Sequence, residues 1–309
     1  MNLIEKAAER LGRGSRQSLV EKAATVAPPA RPDGRAPPAA SEAPGAAAAA
    51  VDPAPAPEAV EAPRRSRRVT IDFDRLHELG IVTHHEERTR LAEEFRFVKR
   101  PLLTKAFRHG ADAIPRGNLI MVTSANPKEG KTFTSINLAL SMATERDLTV
   151  LLVDADPAHP SVLPFLGIEA DLGLIDLLER DDLDVSDVLL RTNRDNLSVI
   201  PAGRQHPHTT ELMASDRMTR FMGDIAERYA DRVIIFDAPP VLVTTEATVI
   251  AQQVGQIVFV IEAERTGQSA VKSALNLLSS CKNIALLLNR TRTGSEPDQI
   301  GTYYYDYGQ

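Results

Sequence analysis

From residue 118 onward, short apolar runs recur along the chain and segments with helical patterns separate them. Each run is rich in Val, Ile or Leu; the runs are residues 118–124, 148–154, 197–201, 232–237, 256–261 and 284–288. Such runs are typical of strands that are buried on both faces of a parallel sheet. Apolar residues recur at helical spacing in 73–80, 86–110, 133–143, 171–178, 211–228, 245–253 and 268–280. Strands alternating with helices predict an α/β fold with a doubly wound, mostly parallel sheet.

The composition changes sharply near residue 68. Ten of the 21 prolines lie between Pro28 and Pro63, in a segment otherwise dominated by alanine. Such a segment buries too little apolar surface to offset its ordering entropy, so a disordered linker is predicted. Residues 1–20 are predicted to form a short amphipathic helix or an unstructured terminus, and the linker covers 21–68. A globular domain is predicted over 69–290, beginning with a helical region (69–117), and a flexible tail follows over 291–309.

The loop between the strand 118–124 and the helix 133–143 has the pattern of a phosphate-binding loop. Its sequence is Ala-Asn-Pro-Lys-Glu-Gly-Lys-Thr, and a strand, a Gly-bearing loop and a helix are the context that a P-loop NTPase requires. Backbone N–H groups at the helix start are predicted to hold phosphate, with Lys131 reaching the β- and γ-phosphates and Thr132 binding Mg²⁺. The predicted nucleotide-binding residues are Ala125, Asn126, Pro127, Lys128, Glu129, Gly130, Lys131, Thr132 and Phe133. A chance Gly-Lys-Thr at a helix start is the alternative, because Ala125 stands where the pattern usually has Gly.

Two further predicted strands end in carboxylates. Asp154 and Asp156 follow one run and Asp237 ends another. Ligands of parallel α/β sheets bind beyond the carboxyl ends of the strands, and acidic groups around a triphosphate require a cation, so Mg²⁺ is implied. The predicted catalytic residues are Lys131, Asp154, Asp156 and Asp237, and the predicted metal ligands are Thr132, Asp154 and Asp237. A turn or helix-capping role is the alternative for each aspartate, above all for Asp156, which precedes Pro157.

Four of the five tyrosines lie in the last seven residues, and they are Tyr303, Tyr304, Tyr305 and Tyr307. The polar stretch 291–301, with its Gly and Pro, is predicted to be mobile. Exposed phenols beside an ATP site are predicted phosphate acceptors, with a core strand as the alternative. Because a phenol is almost wholly protonated at neutral pH, Asp154 or Asp156 is predicted to accept its proton.

The overall composition excludes several classes of protein. A net charge of −6 and a pI of about 5.7 give no support to a general nucleic-acid binder. A single cysteine, Cys281, excludes an internal disulfide and fits a reducing compartment. No apolar run approaches the roughly 18 residues that a membrane-spanning helix needs, so a membrane association is expected to come through a partner or a peripheral helix.

The motifs together resemble the bacterial tyrosine autokinases of exopolysaccharide synthesis, and residues from about 69 to 267 resemble the branch associated with exosortase gene clusters. Lys131 and Thr132 match the first phosphate motif of that family, Asp154 and Asp156 the second acidic motif, and Asp237 with the following prolines the third. The resemblance implies ATP and Mg²⁺ as cofactors, autophosphorylation of the tyrosine tail, and regulation of polysaccharide polymerisation or export. It further implies a separate membrane-embedded activator, and hence a place in the cytoplasm at the inner face of the plasma membrane.

The family also carries a Glu-x-x-Arg-x-x-Arg helix that is used for ring-like self-association. Glu93, Arg96 and Lys99 stand in that region, with Lys99 where Arg is expected. An ordinary ion pair on a solvated helix is the alternative. The chain departs from the family again at Ala158, where Arg is usual, with His159 beside it. His206 and His208 are predicted to belong to a structural or interface loop rather than to a metal site.

Two rival functions share the fold and the motifs. One is a nucleotide-dependent switch of the partition and division-site ATPase kind, which normally has a second lysine just after the first residue of the loop. Asn126 occupies that position here, and four terminal tyrosines have no purpose in such a switch. The other is a non-catalytic, ATP-binding regulator of polysaccharide export.

Overall fold

An eight-stranded sheet forms the centre of the computed structural model, which describes residues 66–82, 89–227 and 231–292. In chain order the strands are β1 (Arg67–Arg68), β2 (Leu119–Ser124), β3 (Thr149–Asp154), β4 (Leu190–Arg191), β5 (Leu197–Ile200), β6 (Arg232–Asp237), β7 (Gln256–Glu262) and β8 (Ile284–Asn289). Their order across the sheet is β1-β4-β5-β3-β6-β2-β7-β8. Every pair is parallel except β4 with β5. The predicted doubly wound, mostly parallel sheet is confirmed.

The helices lie between the strands as the alternating pattern predicted. They are α1 (Phe73–Glu78), α2 (Arg90–Ala106), α3 (Lys131–Met142), α4 (Val162–Leu166), α5 (Leu174–Glu179), α6 (Val185–Val188), α7 (Thr209–Met213), α8 (Asp216–Glu227), α9 (Glu246–Ala251) and α10 (Gln268–Leu277). The predicted helix over 211–228 is instead two helices. The break falls at Ser215, whose hydroxyl accepts the N–H of Met218 at 3.2 Å and so caps the start of α8.

Two strands were absent from the sequence-based prediction. β1 falls within the segment 21–68 that was predicted to be a linker, and it pairs with β4, while the Val69 N–H extends the contact to the Arg191 carbonyl at 2.8 Å. Both strands have only two residues. A pair of residues is too short to show the alternation or the apolar run by which strands are predicted.

Apolar side chains fill both faces of the sheet. On β2, Leu119 and Met121 belong to the layer beneath α5, α8, α9 and α10, whereas Ile120 and Val122 belong to the layer beneath α1, α2 and α3. All four are fully buried. Because each strand must satisfy two apolar layers, the central strands are apolar at nearly every position.

The order of the strands brings the ends of β2, β3 and β6 together. β6 lies between β3 and β2, and Asp154 stands directly opposite Asp237 in the register of β3 with β6. After β6 the chain crosses to the other side of β2 and adds β7 and β8. Such a change of direction opens a crevice at the carboxyl ends of the strands, where ligands of α/β sheets bind. Among the described residues, no helix has both the length and the apolar character that crossing a bilayer requires.

Candidate active site

The loop between β2 and α3 lies at this crevice, and its backbone has two residues in the left-handed region. Gly130 has φ +97°, and a Cβ there would collide with the Asn289 side-chain amide, so this position requires glycine. Lys128 has φ +68° although it is not glycine. Helix α3 begins at Lys131, and its first intrahelical bond runs from the Thr134 N–H to the Gly130 carbonyl at 2.9 Å. The loop therefore leads into a helix N-terminus, where unpaired N–H groups favour an anion.

Lys131 faces a carboxylate inside the crevice. Its Nζ donates to Asp156 Oδ2 at 2.9 Å, and both side chains are buried. Burial opposes the charge of the lysine, but Asp237, Asp156 and Asp154 outweigh it and raise the pKa of Lys131 above its ordinary value. Lys131 is therefore a fixed cation at the loop.

Asp237 holds the two hydroxyls on the first turns of α3. Thr132 Oγ1 donates to Asp237 Oδ2 at 2.7 Å, and Ser135 Oγ donates to Asp237 Oδ1 at 3.0 Å. The carboxyl is wholly buried, and this burial raises the pKa of Asp237 despite the opposing effects of Lys131 and the two hydroxyls. Ser135 was missed by the sequence reasoning. Its position four residues after Lys131, on the same face of a helix, is the signal that could have found it.

Asp154 contacts backbone rather than side chains. It accepts the N–H of Asp156 at 3.2 Å and the N–H groups of Ser161 and Val162 at 3.0 Å, so it shapes the segment that leads into α4. Burial, followed by the charge of Asp237, raises the pKa of Asp154 to about 7. The alternative of a turn and capping role thus describes Asp154 well, whereas Asp156 has a contact with Lys131 in addition to its turn.

The charges of the crevice fit a divalent cation. Three buried carboxylates lie near Lys131, and burial raises the pKa values of two of them, Asp154 and Asp237. Hard carboxylate and hydroxyl oxygens are the ligands that Mg²⁺ prefers, and Mg²⁺ usually takes only one or two carboxylates together with water and substrate phosphate. Among the described residues, no group of three or more His, Cys, Asp or Glu is arranged to hold a metal ion by itself.

The remaining predicted loop residues divide into two sets. Pro127 and Lys128 are exposed, and Phe133 packs against the apolar layer beneath α3 rather than facing the crevice. Glu129, in contrast, is buried, and its carboxylate accepts the Asn126 N–H at 3.1 Å and the Asn126 side-chain amide at 2.9 Å. Ala125 is buried at the end of β2.

Four positions were singled out by the family resemblance, of which Ala158, His159 and His208 are exposed and His206 is half-buried. His159 Nδ1 is 4.0 Å from Asp156 Oδ1. His206 Nε2 is 3.1 Å from Glu179 Oε1, and its Nδ1 accepts the His208 N–H at 3.1 Å. His206 and His208 therefore order their own loop, as the structural interpretation predicted.

On α2, the residues predicted for self-association differ in environment. Glu93 and Arg96 form an ion pair at the surface. Lys99 is buried, and its Nζ donates to the Ser141 carbonyl at 2.7 Å and to Thr144 Oγ1 at 2.9 Å. In this structure Lys99 joins α2 to the end of α3 and is not available to a second copy; a role for Glu93 and Arg96 stays a prediction. The predicted helix 1–20, most of the linker and all four acceptor tyrosines lie outside the described residues.

Comparison with known proteins decides the family. The AAA domain family matches residues 118–291. The putative tyrosine-protein kinase CapB of Staphylococcus aureus is 28% identical over 231 residues, which are 74% of this chain and 95% of CapB. The tyrosine-protein kinase YwqD of Bacillus subtilis is 30% identical over 189 residues, which are 61% of this chain and 77% of YwqD. The chain belongs to the family of bacterial tyrosine-protein kinases.

Solved structures agree with this family. The kinase domain of VpsO is matched with a TM-score of 0.52 and 27% identity, over 66% of this chain and 100% of that domain. The chimerical protein CapA2B2 has the same fold, with a TM-score of 0.59 and 23% identity over 71% of this chain and 99% of that protein. The kinase family recognised from the motifs is thereby confirmed.

Proposed function

We propose that this chain is an ATP-dependent protein-tyrosine kinase that phosphorylates the tyrosine cluster at its own C-terminus. The observation that carries the proposal is the pairing of Lys131 with Asp156 and of Thr132 with Asp237 at the start of α3. In the proposed complex, the phosphates of ATP would replace Asp156 as the partner of Lys131 and would accept hydrogen bonds from the N–H groups at the start of α3. Thr132 and Asp237 would hold Mg²⁺, which would neutralise charge on the phosphates.

Asp156 is the proposed proton acceptor. Asp154 accepts only backbone N–H groups, which fix its own turn. Asp156 accepts the His159 N–H through Oδ1 and Lys131 Nζ through Oδ2, and the contact with Lys131 is the one that ATP would replace. The tyrosine oxygen forms a bond to the γ-phosphorus as the bond from that phosphorus to the β–γ bridging oxygen breaks and ADP leaves. The phenolic proton passes to Asp156.

The end of β8 makes the C-terminal tyrosines plausible acceptors. Asn289, the last residue of β8, donates its side-chain amide to the Glu129 carbonyl at 3.0 Å, so the C-terminal segment leaves the fold at the phosphate loop. A random-coil chain of about 15 residues spans roughly 20 Å on average. This length lets Tyr303 to Tyr307 reach the site of the same chain or of a neighbour.

The test is incubation of the purified chain with Mg²⁺ and ATP, followed by mass spectrometry of the C-terminal peptide. Phosphotyrosine is expected from the natural chain and is expected to fall at least about 100-fold in Lys131→Met. Lys272→Met, which changes an exposed lysine of α10 away from the loop, is the matched control and is expected to retain activity. ATP hydrolysis without phosphotyrosine would favour the nucleotide switch instead.

Mixing two variants separates transfer within a chain from transfer between chains. One carries Lys131→Met with all tyrosines intact, and the other keeps Lys131 but has Phe at Tyr303, Tyr304, Tyr305 and Tyr307. Phosphotyrosine on the first variant is expected only if one copy modifies another. A matching rise with protein concentration would support transfer between copies, and loss of that rise on changing Glu93 and Arg96 to Ala would support self-association through these residues.

Regulation of exopolysaccharide synthesis completes the proposal. It rests on the family resemblance, which implies a separate membrane-embedded activator and a place at the inner face of the plasma membrane. Co-purification of the chain with such a protein, and a rise in phosphotyrosine on reconstitution, are the expected results. An unchanged polymer yield on loss of Lys131 in the producing cell would contradict the regulatory part alone.

A further inference from the structure

The phosphate loop contains a buried acid that the proposed chemistry does not use. Glu129 is only 3% exposed, although an acidic side chain is unfavourable beside a polyanion. Its carboxylate accepts three hydrogen bonds, two from Asn126 and one from Thr266 Oγ1 at 2.7 Å. These donors satisfy the carboxylate within the fold, so its charge does not draw on Lys131 or on the N–H groups at the helix start.

Thr266 is itself fixed to the end of β7. Its hydroxyl accepts the Glu262 N–H at 3.1 Å, and its own N–H donates to the Glu262 carbonyl at 3.1 Å. The hydroxyl thus connects two elements that are far apart in sequence, since 137 residues separate Thr266 from Glu129. The contact is direct, from the Thr266 hydroxyl to the Glu129 carboxylate.

The main chain of Glu129 is held from the neighbouring strand. Asn289, at the end of β8, donates to the Glu129 carbonyl at 3.0 Å, and the same amide packs against Gly130. The side chain and the backbone of one loop residue are therefore fixed by β7 and β8, on the side of the loop away from β3 and β6. Nothing in the phosphate-loop pattern requires these contacts.

We propose that Glu129 is a positioning residue which, through the Thr266 hydroxyl, holds the loop in its phosphate-binding shape before the nucleotide arrives. The inference rests on the proposed function only in taking ATP as the ligand. A loop that is already ordered loses less entropy on binding. The hydrogen bond from Thr266 to Glu129, here called the brace, therefore increases nucleotide affinity. When the brace is removed, the buried carboxylate loses a donor and competes with phosphate for the cation and amides of the loop.

The experiment compares Thr266→Val with Thr266→Ser in the full chain. Val keeps the shape but removes the hydroxyl, and Ser keeps the hydroxyl. The dissociation constant for Mg²⁺-ATP is expected to rise about tenfold in Thr266→Val, the size expected for a lost hydrogen bond to a charged group, and to stay within about twofold of the natural value in Thr266→Ser. The KM for ATP is likewise expected to rise in Thr266→Val and to stay near the natural value in Thr266→Ser. The kcat is expected to change less, because the loop holds substrate and transition state alike.

A second variant and a control guard against a general loss of folding. Glu129→Gln places an amide donor against the Asn126 donors and is expected to weaken ATP binding in the same direction. Thr104→Val removes a hydroxyl that bonds only to its own helix, at the Arg100 carbonyl, and is expected to bind ATP normally. Thermal unfolding of each variant shows which temperature keeps all of them folded during the binding measurement.

Equal ATP affinity of Thr266→Val and the natural chain overturns the inference, and so does an equal loss in Thr266→Ser. A fall in melting temperature without a change in affinity also overturns it, since the contact would then be structural alone. If the natural chain makes no phosphotyrosine but the difference between Val and Ser persists in ATP binding, the proposed function fails and the inference stands.

Discussion

The two sides of the phosphate loop differ in their polar side chains and in the contacts that these side chains make. The side toward β3 and β6, here the catalytic side, has a lysine, a threonine and three aspartates, namely Lys131, Thr132, Asp154, Asp156 and Asp237. The side toward β7 and β8, here the bracing side, has Glu129, Thr266 and Asn289. On the catalytic side three buried carboxylates lie close to one another and to Lys131, whereas on the bracing side a single buried carboxylate, that of Glu129, accepts three hydrogen bonds.

Unfavourable electrostatics and the proposed function therefore coincide on only one side of the loop. On the catalytic side, burial raises the pKa values of Asp154 and Asp237, so their charged forms are electrostatically unfavourable and a bound cation would stabilise them. On the bracing side, a buried carboxylate receives three donors. Substitutions of the proposed catalytic residues should therefore reduce turnover more than the free energy of unfolding. Substitutions that break a buried, fully hydrogen-bonded contact should reduce the free energy of unfolding more than turnover.

The largest expected effect is that of Asp237→Asn. Phosphotyrosine formation should fall by about 10²–10³-fold, because the carboxylate that faces Thr132 and the proposed cation is lost. The free energy of unfolding at pH 7 should change little or rise, since burial already disfavours the charged form of Asp237. Kinase assays and urea denaturation measure the two quantities. Asp224→Asn, an exposed position on α8, is the matched control, and a loss of stability without a loss of activity would contradict the comparison.

Asp154 should make the stability of the metal-free chain depend on pH. Its pKa is about 7 in the folded chain against 3.8 as the reference value, so between these values the folded state keeps a proton that the unfolded state loses. Stability from this group is therefore fully present below about pH 4 and falls as the pH rises towards 7, by about 2 kcal/mol between pH 5 and 7. Urea denaturation in EDTA at several pH values measures this slope.

Asp154→Asn is the control for that slope. The substitution removes the titration, so the part of the pH dependence that comes from this group should vanish, although the variant is less stable overall because it has fewer acceptors for the backbone N–H groups. An unchanged slope in the variant would show that Asp154 is not the group responsible.

Helix α2 allows a comparison between a buried, hydrogen-bonded side chain, Lys99, and an exposed one, Arg96. Lys99→Met should reduce the free energy of unfolding by about 1–3 kcal/mol, because the Ser141 carbonyl and Thr144 Oγ1 lose a charged donor and Glu145 loses its ion-pair partner. Arg96→Met, three residues earlier, should change it by less than about 0.5 kcal/mol, as expected for an exposed ion pair. Chemical denaturation of both variants measures the difference. Equal effects would mean that burial does not distinguish these two contacts.

The smallest expected effect is that of Lys128→Gly. Lys128 has φ +68°, a conformation that costs a non-glycine residue about 1 kcal/mol. Glycine removes this strain but adds entropy to the unfolded chain, so a gain of at most about 0.5 kcal/mol is expected. ATP affinity should fall by less than about twofold, because the Lys128 side chain is exposed while a second glycine loosens the loop slightly. Differential scanning calorimetry and a binding titration measure both.

The central strands were predictable because each is apolar on both faces, and the starts of β5, β6, β7 and β8 are where the apolar runs placed them. The two-residue strands β1 and β4 were not, because two residues have no period. The division of 211–228 into α7 and α8 depends on Ser215 as a cap, inside a pattern that stays amphipathic across the break.

Within the site, Lys131, Thr132, Asp156 and Asp237 were found because their spacing from strand ends is a local property of the sequence. Thr266 and Asn289 were not found, because their contacts with the loop depend on which strands lie beside β2. Asp154 was identified as an acid at a strand end, but its use of both oxygens on backbone N–H groups follows from the path of residues 155–162 and has no sequence signal.

The contact of Asn289 with Gly130 has a practical consequence for how the chain is shortened. Removing the tyrosines by ending the chain before residue 289 would also take away the amide that lies against the phosphate loop. Such a truncation would lower nucleotide binding and could be mistaken for proof that the tail assists catalysis. A chain that ends at residue 292 keeps this amide and tests the tyrosines alone.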